Sequence, residues 1–211
     1  MATLIWRELR IAFAGGAWLP IAFFLLVAVL YPFGVGPDSA TLARTGGGVL
    51  WIAALLAALL PIDRLIAPDM ETGVLDQLSL RGVSEEAAAM AKLIAHWLSF
   101  GPPLLLATVP ASALLKLDGA TLAQLALGLL IGTPGLAALG IMVASLTLGL
   151  RRAGPLAGLL MLPLAIPILI FGAGSLAPVP GSALKLLSAA SLLMVALAPF
   201  VAGAAIRAAR E

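Results

Sequence analysis

The sequence predicts an all-α integral membrane protein with six transmembrane helices, preceded by one amphipathic helix at the membrane interface. Of its 211 residues, 62% are hydrophobic and only 10% are charged, and the mean hydropathy is +1.14. A soluble domain carries about 25% charged residues, so most of this surface must face lipid. The apolar runs are continuous rather than alternating, which favours helices over the strands of a membrane barrel.

The first element is a short amphipathic segment at residues 3–14. Its apolar residues share one helical face and its charged residues Arg7, Glu8 and Arg10 lie towards the other. This pattern is typical of a helix that lies in the membrane interface. A plain extension of the first span is the alternative.

Six apolar runs follow, each long enough to cross a bilayer. They cover residues 18–35, 46–62, 91–115, 122–150, 155–176 and 184–205. Proline and glycine separate them, because proline lacks a backbone donor and glycine permits unusual dihedral angles. The later breaks are Asp118-Gly119, then Arg151-Arg152 with Gly154-Pro155, then Pro178, Pro180 and Gly181.

The distribution of basic residues predicts the orientation. With a cytoplasmic N-terminus, nine of the 12 Lys and Arg residues fall on the inner side, and only Arg44, Lys116 and Lys185 fall outside. The positive-inside rule selects this arrangement, with both termini in the cytoplasm. The net charge of +2 is spread over loops, so we expect membrane lipid as a partner and no nucleic acid.

The one substantial polar stretch is the predicted cytoplasmic loop at about residues 63–92. Its first part spaces Met70, Val74, Leu75 and Leu78 as on one helix, Gly82 breaks the chain, and Ser84 is typical of a helix N-cap. Such a loop either lies on the membrane surface or docks a soluble subunit. Its acidic side chains favour docking, because anionic lipid repels them.

Catalytic motifs are missing from the sequence. It has no G-x-x-x-x-G-K-[ST] motif to hold ATP, no cysteine for a disulfide or thiolate site, and no serine–histidine–acid set. We therefore expect no catalytic or metal-binding residue and no enzyme activity of the chain alone. The only histidine, His96, is either a heme or proton site or an ordinary helix residue.

Several segments together resemble one known family. They are RELRIAF before the first span, the loop DMETGVLDQLSLRG, and LRRAGPLAGLLMLPLAIPILIFGAG from Leu150 to Gly174. The chain resembles CcmB, the permease subunit of the ABC-type complex of bacterial cytochrome c maturation, over nearly its whole length. One departure is Arg81-Gly82-Val83-Ser84, where the family commonly has proline, so the loop shape is expected to differ.

The resemblance implies a single permease domain, residues 1–211, of the type-2 ABC exporter kind in the bacterial inner membrane. It implies partners: an ATP-hydrolysing CcmA-like ATPase, a heme-handling CcmC-like membrane subunit, a small single-span CcmD-like subunit and a second copy of the chain. Heme is then a possible substrate of the complex, and no cofactor is bound by this chain itself. The ATPase-coupling residues implied are Asp69, Glu71, Gly73, Leu75, Asp76 and Leu78.

The implied function is to couple ATP hydrolysis by the separate ATPase to heme handling and to release of a heme-loaded periplasmic chaperone. Two alternatives remain open. A type-2 ABC permease that exports another apolar molecule would have the same loop, and a membrane scaffold that transports nothing would need no ATPase.

Overall fold

A computed structural model of the chain describes residues 1–150, 153–177 and 181–210, and these ranges are helical with short connections. Arg151, Arg152, Pro178 and Pro180, which we expected to separate spans, lie outside the described residues. The helices are α1 Ala2–Ala14, α2 Trp18–Val35, α3 Ser39–Leu59, α4 Ala67–Glu71, α5 Val74–Leu80, α6 Glu85–Leu114, α7 Gly119–Leu146, α8 Ala153–Gly174 and α9 Ala183–Ala208, with a 3-10 turn at Ile62–Arg64.

The predicted fold class, an all-α membrane protein with six spans and a preceding amphipathic helix, is confirmed. Among the described residues, six helices are long and apolar enough to cross a membrane: α2, α3 with the turns that continue it, α6, α7, α8 and α9. No strand occurs within the described ranges. The architecture is that expected of an all-α ABC permease.

The bundle is built around α7, the most buried of the spans. Helix α7 packs along α9 over most of its length and also contacts α3, α6 and α8. The Trp51 side chain of α3 is fully buried at this centre. A Cβ atom added at Gly172 of α8 would lie 2.6 Å from the Trp51 ring, so this close packing of α3 on α8 requires glycine.

Helix N-caps explain why several helices begin before the apolar runs. Helix α3 begins at Ser39 because Asp38 accepts a hydrogen bond from the Thr41 backbone N–H, seven residues before the apolar run at Gly46. Helix α6 begins at Glu85 rather than at residue 91, because Ser84 caps it as predicted. Hydropathy therefore locates the membrane-spanning part of a helix, whereas the capping residue sets its first turn.

Candidate functional site

The loop between α3 and α6 contains two short helices instead of the single helical piece that we expected from Met70 to Leu78. Helix α4 ends at Glu71 and helix α5 begins at Val74. Gly73 between them has φ +71°, a left-handed conformation that glycine adopts without a steric penalty. The expectation was wrong because regular apolar spacing does not reveal a one-residue reversal of the backbone.

One end of this loop is tied to the bundle by a group of four charged side chains, Arg7, Glu8, Asp69 and Lys92, which we call the Lys92 cluster. Lys92 donates to Glu8 over 2.9 Å and also pairs with Asp69. Arg7 donates to both oxygens of Asp69, over 2.9 and 3.2 Å, and pairs with Glu8. The cluster thus joins α1, α4 and α6.

The Lys92 cluster is largely shielded from solvent. The exposed fraction of the side chain is 6% for Lys92, 9% for Glu8 and 12% for Asp69. Two positive and two negative charges balance, which offsets the desolvation of each. The hydrogen bond to Asp69 raises the pKa of Arg7 above its usual value, so Arg7 stays charged.

The cluster also fixes how α1 lies against the bundle. Glu8 is the one residue of α1 that is buried, and α1 packs against α6. The exposed large side chains of α1 are Trp6, Ile11 and Phe13. Pairing with Lys92 accounts for the burial of Glu8, because a buried lysine requires a carboxylate partner.

The far end of the loop is tied to the C-terminal helix by a second group, which we call the Arg210 cluster. It consists of Asp76, Glu85, Glu86, Arg207 and Arg210. Arg210 contacts Asp76 of the loop over 3.0 Å and Glu85 at the start of α6 over 2.6 Å. Asp76 and Arg207 are well exposed, so this cluster is weaker than the Lys92 cluster.

The predicted coupling residues divide into three groups by exposure. Asp69 and Leu75 are buried against the protein, whereas Glu71 and Asp76 are exposed and Gly73 and Leu78 are half-buried. Our sequence reasoning missed Leu80, the last residue of α5, which is 89% exposed. Leu80 lies about 140° around the helix from Leu75. This position, away from the buried face of α5, was the signal in the sequence that Leu80 is exposed.

A cavity of about 280 Å³ lies beside the Lys92 cluster, bounded by α1, the α1–α2 connection, the end of α3 and α6. His96 is in its wall, buried, with its ring 4.8 Å from that of Phe100. The His96 Nε2 atom has no hydrogen-bond partner within the described part of the chain. Within the same part, no group of three histidine or acidic side chains is placed to hold a metal ion.

The bundle and its anchored loop define the class of the protein: a multi-pass α-helical membrane protein with a structured polar loop at one end. The chain belongs to the CcmB family, whose model, described as CcmB protein, matches residues 1–209. The chain is 47% identical over 214 residues to heme exporter protein B of Paracoccus denitrificans strain Pd 1222, covering 98% of both chains. It is 40% identical over 216 residues to heme exporter protein B of Escherichia coli K12, covering 97% of this chain and 98% of the relative.

Proposed function

We propose that this chain is the transmembrane permease subunit of an ABC-type heme exporter complex that serves cytochrome c maturation. It couples ATP hydrolysis by a separate ATPase to heme handling and to release of a heme-loaded periplasmic chaperone. It lies in the bacterial inner membrane with both termini and the α3–α6 loop in the cytoplasm. Membership of the CcmB family and the name heme exporter protein B of the relatives support this function.

The observation that carries the coupling role is the α3–α6 loop, which is anchored at two points and exposed between them. The Lys92 cluster holds α4 to α1 and α6, and the Arg210 cluster holds α5 to the turn that follows α9. A displacement of the loop is therefore transmitted to three helices of the bundle. Between the anchors, Glu71 and Leu80 are exposed and therefore accessible to a partner protein.

We assign ATP binding and hydrolysis to the separate ATPase subunit and a non-catalytic role to this chain. The lack of a phosphate-binding glycine-rich motif in the sequence supports this assignment. The whole of residues 1–211 serves as one permease domain. A heme-handling membrane subunit, a small single-span subunit and a second copy of this chain complete the complex.

The coupling role is tested with two changes in the loop. In Glu71→Lys and in a variant with Gly73 deleted, we expect membrane insertion to be normal, ATPase recovery on gentle purification to be lost, and c-type cytochrome levels to fall. The matched control is Asp63→Lys, because Asp63 is exposed in the same loop but outside α4 and α5. It should retain the ATPase.

The proteins that purify with the wild-type chain distinguish the alternatives. An ATPase together with a heme-handling membrane subunit supports the proposal. An ATPase alone, with normal c-type cytochromes after deletion of the chain, supports export of another apolar molecule. Unchanged ATPase recovery in both loop variants would refute the coupling role, and absence of any ATPase in mild detergents would indicate a scaffold.

A further inference from the structure

The cavity beside the Lys92 cluster has an apolar mouth. Its rim includes Ile11 of α1, Leu19 of α2 and Leu60 at the end of α3, which are 47, 40 and 39% exposed. Both α2 and α3 are long and apolar enough to cross a membrane, so rim residues at their ends lie at the level of the membrane interface. The mouth is therefore within reach of a molecule from the bilayer.

One positively charged residue that lines the cavity has no carboxylate partner. Glu8, Asp69 and Lys92 line it, and together with Arg7 they form the neutral Lys92 cluster. Arg64 also lines the cavity and donates a hydrogen bond to the backbone carbonyl of Gly15. Arg64 forms no ion pair with any residue in the described ranges.

The size and lining of the cavity restrict what it holds. Its volume of about 280 Å³ is many times the roughly 10–15 Å³ that a single water molecule needs. Most of the wall is apolar, with Ala12, Pro20, Leu65, Ala95 and Phe100 among the lining residues. Water gains little in such a space, whereas hydrocarbon loses its contact with water and packs against these side chains.

We propose that this cavity binds one phospholipid with an acidic headgroup, from the same leaflet as α1. The phosphate group lies against Arg64 at the rim, and part of an acyl chain fills the apolar space between α1 and α6. This arrangement pairs the phosphate with Arg64, which is exposed at the rim, and leaves the Lys92 cluster neutral.

The site is tested by native mass spectrometry of the purified full-length chain, titrated with phosphatidylglycerol or with phosphatidylcholine. We expect one tightly bound phosphatidylglycerol per chain and weaker binding of phosphatidylcholine, which has no net negative charge. Arg64→Gln should weaken the binding of phosphatidylglycerol about fivefold, which is the effect of one basic residue at an anionic lipid surface. Ala12→Trp, which places a large side chain in the cavity from its wall, should reduce the binding of both lipids.

The matched control is Arg44→Gln, which removes one exposed arginine from the opposite end of α3. It should leave the affinity for both lipids unchanged. Equal binding of the two lipids, no retained lipid on the wild-type chain, or full binding by Ala12→Trp would overturn the proposal. So would recovery of heme, rather than phospholipid, from the wild-type cavity.

Discussion

Replacing Lys92 with methionine tests whether the Lys92 cluster anchors the α3–α6 loop. Lys92 contacts both carboxylates of the cluster, Glu8 and Asp69. The substitution keeps most of the side-chain volume but leaves two largely buried carboxylates to share Arg7. The cluster then carries a net charge of −1 in a site where the lysine side chain was only 6% exposed.

Removal of one partner from a buried ion pair costs about 3–5 kcal/mol, because it leaves a charge without compensation. We expect the lower end of this range, about 3 kcal/mol, because Arg7 is 35% exposed and still contacts both carboxylates. For a chain of this length, 1 kcal/mol corresponds to roughly 2–4 °C in Tm. Lys92→Met should therefore lower the Tm by roughly 6–12 °C, on the same scale.

The assay is thermal unfolding of the purified protein in one detergent, followed by tryptophan fluorescence. Adding Asp69→Asn to Lys92→Met restores a neutral cluster of Arg7 and Glu8, so the double variant should recover part of the lost stability. Arg207→Met is the control, because its exposed pair with Glu86 should contribute little. The reasoning would be refuted if the Arg207 and Lys92 variants lost equal stability. It would also be refuted if the losses caused by Lys92→Met and Asp69→Asn simply added in the double variant.

Three further predictions concern packing and caps, and each is checked by the Tm of the purified variant. Gly172→Val should destabilise the bundle by at least about 2 kcal/mol, which is within the range for overpacked cores. The reason is that the valine Cβ atom would lie 2.6 Å from the Trp51 ring. A variant with unchanged Tm would contradict this packing. Ser84→Ala should cost about 1 kcal/mol by loss of the α6 cap, and Ser84→Asp should retain the cap. Asp118 caps α7, and the hydrogen bond that its carboxylate accepts from the backbone N–H of Thr121 lowers the pKa of Asp118. This cap stabilises the folded protein fully above the unfolded pKa of about 3.9. The stabilisation is lost as the pH falls through the lower pKa of the folded state. Asp118→Asn should remove that acid-dependent step, and an unchanged acid profile would contradict it.

Local sequence patterns predicted the elements whose cause is local. Ser84 was identified as an N-cap from its place before two glutamates, and Gly82 as a break, and the structure has Ser84 as the cap of α6 and Gly82 at φ +77°. The six spans follow from hydropathy alone, because the free energy of a helix in lipid depends on its own composition.

Interactions between distant residues could not be predicted from the sequence. Glu8 and Lys92 are 84 positions apart, and nothing in the spacing near either residue indicates the other. The burial of Glu8 against α6 depends on that pair, so the local sequence did not indicate it. The helical spacing alone does not say which face of α5 is buried; packing on α6 buries Leu75, whereas Leu80 lies off that face and is exposed.

The proposed contact between the α3–α6 loop and a separate ATPase is the central claim, and cross-linking tests it most directly. The chain has no cysteine, so Leu80→Cys and Ser182→Cys each provide a single reactive site, at the exposed tip of the loop and at the opposite end of α9. In native membranes treated with a short thiol-to-amine cross-linker, we predict a product between the Leu80→Cys chain and an ABC ATPase, and none from Ser182→Cys. Cross-linking from both positions, or from neither, would contradict the account.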